Sequence, residues 1–116
     1  MYSQKVTQHF LHPHNVYRME DATHTGTEGK AGEGNYMVIY LKVEGGRIVR
    51  ASCQTYGCVG AVSSGCELAD LVVGKSPEEA LSITPEDVLQ ALGGLPLGKE
   101  HCAALAVGAL RKALTK

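Results

Sequence analysis

Four cysteines, Cys53, Cys58, Cys66 and Cys102, carry the side chains best suited to metal or covalent chemistry, and two of them stand where a thiolate is favoured. Cys58 follows Gly57 where strand-like sequence gives way to a helical pattern, and Cys102 falls in the first turn of a later predicted helix. A helix N-terminus carries partial positive charge, which stabilises an anion and lowers a thiol pKa towards the form that binds metal or attacks. His101 adds an imidazole able to ligate metal or to stabilise the neighbouring thiolate. Cys58, His101 and Cys102 therefore read as one thiolate-rich metal site. The competing reading is core filling, because unpaired cysteines are among the most buried residues, and it is the stronger one for Cys53 and Cys66. Cys66 lies eight positions after Cys58 on one predicted helix. That spacing is a rise of about 12 Å at roughly 1.5 Å per residue, too far for the two to share a single ion.

Other reactive groups are weaker candidates. His9, His12 and His14 surround Pro13 and read as a surface cluster that binds metal only adventitiously. Gly32-Glu33-Gly34 is too short for a nucleotide loop, although backbone can approach a metal closely there. The sequence shows no Gly-rich phosphate loop and no nucleophile with its base, so no catalytic residue is expected.

The elements that would position these side chains follow from periodicity. Val6 and Phe10 with Ser3 as N-cap predict a short helix over Ser3 to Phe10, ended by Pro13. Tyr17 to Asn35, rich in Gly, Thr, Glu and His, reads as an irregular connection. Tyr36 to Val43, a turn at Glu44-Gly45-Gly46 and Arg47 to Tyr56 give a β-hairpin. Alternation puts Val49, Ala51 and Cys53 on its apolar face. After Gly57, Ala61, Leu68, Leu71 and Val72 line a helix that ends at Gly74. Ser76-Pro77-Glu78-Glu79 and Thr84-Pro85-Glu86-Asp87 each supply a hydroxyl cap, Pro at the first helical position and early carboxylates. Gly93 to Gly98 is a break, and Lys99 to Leu114 is a helix with Cys102, Ala106, Ala109 and Ala113 on one stripe. Strands followed by helices, without strict alternation, predict an α+β fold with helices on one face of a small antiparallel sheet.

At 116 residues, 44% of them hydrophobic and 20% charged, the chain has the size and composition of one folded domain, taken as residues 1–116. A net charge of -1 argues against a nucleic-acid surface. No apolar run spans a membrane and no secretory signal is visible, which makes a cytoplasmic protein with reduced thiols the expectation.

Taken in order, Tyr2-Ser3 through His9-Phe10, Pro13-His14-Asn15-Val16, Tyr36-Met37, Tyr56-Gly57-Cys58, Ser63-Ser64, Gly74-Lys75-Ser76 with Glu79-Ala80, and Leu95-Pro96 with Lys99 and His101-Cys102 resemble the IscU and NifU N-terminal family. These are iron–sulfur cluster assembly scaffolds, and the resemblance runs from about Tyr2 to Leu114. It implies that Cys58 and Cys102 are cluster ligands, with His101 as an extra one. It also implies a [2Fe-2S] cluster or iron as cargo, a cysteine desulfurase as sulfur donor and acceptor apoproteins as recipients. Cys102 is then the thiol suited to accept persulfide sulfur.

Three departures stand out. Glu33-Gly34-Asn35 replaces the family's Cys-Gly-Asp, which leaves Glu33 as the substitute ligand and a set of Cys58, His101, Cys102 and Glu33 that also suits zinc. Leu95-Pro96-Leu97-Gly98-Lys99 only partly reproduces the segment that Hsp70-type chaperones recognise. Cys53 and Cys66 replace an aromatic and a small hydroxyl residue. The leading expectation is a scaffold or carrier, not an enzyme. A zinc-bound sulfurtransfer partner of the desulfurase and a divergent interaction module without metal chemistry are the alternatives, and a homodimer is one way to supply the missing thiolate.

Overall fold

The computed structural model describes residues 4, 8, 11, 15–29, 36–56, 59–93 and 101–115. Of the helix expected over Ser3 to Phe10 these include only Gln4 and Gln8, both helical, and Pro13 lies outside them.

The hairpin forms where β-branched and apolar residues alternate. In β2, Tyr36–Glu44, the side chains of Met37, Ile39 and Leu41 are buried, while Val38, Tyr40 and Lys42 lie on the other face and are less so. Gly45 and Gly46 both take positive φ, +61° and +79°, as a tight two-residue turn into a twisted hairpin requires. β3, Arg47–Tyr56, returns antiparallel with Glu44 opposite Arg47.

Within the hairpin the register slips. Val43 pairs with Ile48 but Lys42 pairs with Arg50, so Val49 is an extra residue without an opposite number. Ala51 and Cys53 face the core as expected, but the bulge turns Val49 outward, 41% exposed, and gives its core place to Ile48.

The segment Tyr17 to Asn35, expected to be irregular, contains a third strand. β1, His24–Glu28, pairs antiparallel with β2 from His24 opposite Leu41 to Glu28 opposite Met37, giving the sheet order β1-β2-β3. Its sequence His-Thr-Gly-Thr-Glu has no apolar alternation because its core-facing residue is Gly26. A Cβ there would collide with the backbone of Ala109 and Ala113, so the missing side chain is what lets the last helix lie on the sheet.

Among the described residues, four helices follow. α1, Val59–Val72, buries Ala61, Leu68, Ala69 and Val72 together with Ser63, Ser64, Cys66 and Glu67. It ends before Gly74, whose φ of +91° allows the chain to turn back, and Gly74 N donates to Ile48 O at 2.8 Å. α2, Pro77–Leu81, and α3, Pro85–Leu92, start as the sequence indicates, each with a capping box. Ser76 Oγ accepts from Glu79 N at 3.2 Å while Ser76 N donates to Glu79 Oε1 at 2.9 Å, and Thr84 and Asp87 repeat the arrangement. The Ser76 backbone N–H, then its side chain, holds the Glu79 carboxyl below its ordinary value, helped by Arg47 at 2.8 Å. α3 closes on Gly93 in the left-handed region at φ +80°. α4, His101–Leu114, packs against β1, β2 and α1, while α1 packs against β3. The architecture is the α+β arrangement expected, with the core between an antiparallel sheet and the helices laid on it. Among the described residues no helix is long and apolar enough to cross a membrane.

Candidate metal centre

α4 presents a wide stripe of small and apolar residues to the core: Cys102, Ala103, Ala106, Val107, Ala109, Leu110 and Ala113 are all buried. In the described span of the helix this stripe starts with Cys102, facing inward, while His101 is exposed. The pair thus straddles the boundary between core and solvent, with Cys102 Sγ 3.8 Å from His101 Nε2. The tautomer of the ring decides which of them donates. A thiol and an imidazole so close, beside the positive end of a helix dipole, form a soft donor pair suited to iron or zinc.

Of the four predicted ligands, the structure brings His101 and Cys102 together. Cys58 and Glu33 lie outside the described residues, as do Gly57 and Asn35. Among the described residues no group of three or more His, Cys, Asp or Glu side chains is placed to hold a metal ion.

Cys53 and Cys66 are both wholly buried, as core residues would be, but they also touch each other. Gly65 has no side chain to keep the strand and helix apart, and a Cβ there would come within 2.7 Å of Cys53 Sγ. The Cys53 thiol hydrogen-bonds to Cys66, and this bond, with burial, pushes the Cys53 pKa up. The same bond lowers that of Cys66, against burial and the nearby Asp70 and Glu67. Of the two, Cys66 ionises first.

Asn15 carries a role that the sequence alone does not assign. It is buried, and its Nδ2 donates to Cys66 O at 3.0 Å and to Asp70 Oδ1 at 2.9 Å. Its backbone O accepts from Cys53 N at 3.0 Å, and Val16 forms a parallel bridge with Cys53. No periodicity marks such a residue, since its partners lie 51 and 55 positions away on the side-chain side.

A three-stranded antiparallel sheet under helices, with a His-Cys pair opening the last of them, defines a small α+β domain with a soft-ligand helix start. The chain belongs to the family described as NifU-like N terminal domain, whose model matches residues 1–116. It is 46% identical over 114 residues to the iron-sulfur cluster assembly scaffold protein IscU 1 of Archaeoglobus fulgidus, covering 98% of this chain and 74% of that one. To the scaffold protein IscU of Aquifex aeolicus it is 37% identical over 115 residues, covering 97% and 73%. To the nitrogen fixation protein NifU of Trichormus azollae it is 33% identical, covering 97% of this chain and 40% of that one. The fold is shared with a SUF-system protein of Fervidobacterium Islandicum AW-1, at a TM-score of 0.76 and 18% identity, covering 98% and 96% of the two chains. A NifU-like N-terminal structure from Brucella abortus gives a TM-score of 0.70 at 14% identity, covering 97% and 90%.

Proposed function

We propose that residues 1–116 act as one iron–sulfur cluster assembly scaffold or carrier domain, holding iron or a nascent cluster through Cys58, His101 and Cys102 and passing it to acceptor apoproteins. The observation that carries this reading is the 46% identity over 98% of the chain to a protein named as such a scaffold. The His101-Cys102 pair at the start of α4 supports it, since a buried thiol beside an exposed imidazole offers ligands to a cargo arriving from solvent. The cargo is a substrate that must leave again, so an incomplete or mixed ligand set suits a carrier better than a closed thiolate cage would. A cysteine desulfurase is the proposed sulfur donor, with Cys102 as acceptor of the persulfide, and no step requires the chain itself to be an enzyme.

Anaerobic reconstitution with iron and sulfide tests the reading. The expected product is coloured, with sulfur-to-iron charge-transfer absorption that is lost in Cys58→Ser and in Cys102→Ser. A colourless, iron-free product from the unaltered chain overturns it. Glu33, standing where the family carries a cysteine, favours zinc as an alternative occupant because it exchanges a soft donor for a hard one. Metal analysis of protein purified without added metal distinguishes the two occupants.

A further inference from the structure

We propose that Cys53 and Cys66 form a second thiol site, oxidised by a peroxide to an intramolecular disulfide that joins β3 to α1. The two side chains come from different elements, are fully buried, and already hydrogen-bond to each other. Gly65 leaves no side chain between Cys53 Sγ and the helix backbone beside Cys66, so strand and helix already lie close where a bond of about 2.05 Å would join them. Asn15 fixes the backbones of both cysteines at once, accepting from Cys53 N at 3.0 Å and donating to Cys66 O at 3.0 Å. Core filling alone explains one cysteine at such a place, but it does not require two in contact under a shared clamp.

The chemistry balances with a peroxide as oxidant. Cys66, the more acidic thiol, attacks the O–O bond as thiolate. An S–O bond forms, the O–O bond breaks and one oxygen leaves as water after taking up protons. The Cys53 sulfur then attacks the Cys66 sulfenic acid, forming S–S and breaking S–O, and its proton leaves with the second oxygen as water. Two thiols lose two electrons in total, and the peroxide gains them. Access runs through the segment at Asn15 and Val16, which lies along the edge of β3 and whose Val16 is 36% exposed. Release of that short strap uncovers the pair, so its stability sets the rate of oxidation.

The test uses the full chain carrying Cys58→Ser and Cys102→Ser, so that it stands apart from the metal reading. After treatment with hydrogen peroxide, thiols counted in denaturant should fall from two to none and the mass by about 2 Da, restored by dithiothreitol. Digestion without reductant should yield the peptides of Cys53 and Cys66 joined. The thermal midpoint should rise by roughly 5–10 °C, as expected for closing a short loop. Adding Asn15→Ala should speed the reaction several-fold, and adding Cys53→Ser should abolish the joined peptide. Two thiols remaining titratable, a gain of about 32 Da from sulfinic acid, or a linkage found only between chains overturns the proposal.

Discussion

Asn15 joins three parts of the molecule through one residue: its amide reaches the Cys66 carbonyl and the Asp70 carboxylate on α1, while its backbone carbonyl receives Cys53 N from β3. The bond to a carboxylate is charge-assisted, and such bonds contribute more than neutral ones. Replacing Asn15 by Ala should lower the unfolding free energy by about 1–2 kcal/mol, read as a lower urea midpoint at unchanged slope. Asn15→Asp should cost more at neutral pH, because it places a second carboxylate beside Asp70 and removes the amide donor. An Asp variant as stable as the Ala variant would show that the amide is not the tie. Cys102 stands between two environments. It is wholly buried and sits in the core stripe of α4, yet it lies against an exposed histidine. Core filling and ligation are therefore not exclusive alternatives for a cysteine at a helix start, and burial by itself does not choose between them.

The elements were legible where side chains carry a period and hidden where a fold uses their absence. The hairpin, α1, the two Pro-led helices and α4 all follow from alternation, caps and glycine stops in the sequence. β1 does not, because the residue it turns to the core is Gly26, and alternation alone puts Val49 on the wrong face because a bulge leaves no mark in the sequence pattern. The site shows the same division: Cys102 falls in a first turn as its spacing indicates, whereas the Cys53–Cys66 contact joins two elements and no local pattern reports it. Two glycines at the β1–α4 contact separate backbone from side-chain crowding. A Cβ on Gly26 meets the α4 backbone at Ala109 and Ala113, which cannot move without shifting the helix. Gly26→Ala should therefore destabilise by about 3 kcal/mol. The atoms a Cβ on Gly108 would meet first belong to the far part of the Glu28 side chain, half-buried and paired with Lys112 at 2.5 Å. That end can swing away, and Ala favours the helix, so Gly108→Ala should cost less than about 1 kcal/mol. Equal losses in the two variants, measured by chemical denaturation, would mean that backbone approach is not what the first glycine serves.

For the molecule as a whole, the proposed cargo needs more thiolate than one chain offers in the positions its family uses. A [2Fe-2S] cluster held by cysteine takes four thiolates, whereas this chain brings Cys58 and Cys102, with Glu33 where the family has a third. One solution is a mixed set within a single chain that includes His101 and Glu33. The other is a two-fold pair of chains, each giving Cys58 and Cys102, which restores an all-sulfur set without a new residue. The two differ in mass and stoichiometry. Because cysteine holds such a cluster more firmly than carboxylate does, the anaerobically reconstituted protein should sediment as a dimer with about one cluster per two chains, and revert to monomer when a chelator removes the iron. Glu33→Ala should leave that dimer intact, while Cys58→Ser should abolish both cluster and dimer. A loaded monomer that loses its cluster in Glu33→Ala would instead assign the missing place to the carboxylate, and would make the exchange of Cys for Glu the feature that sets how readily this chain gives its cargo away.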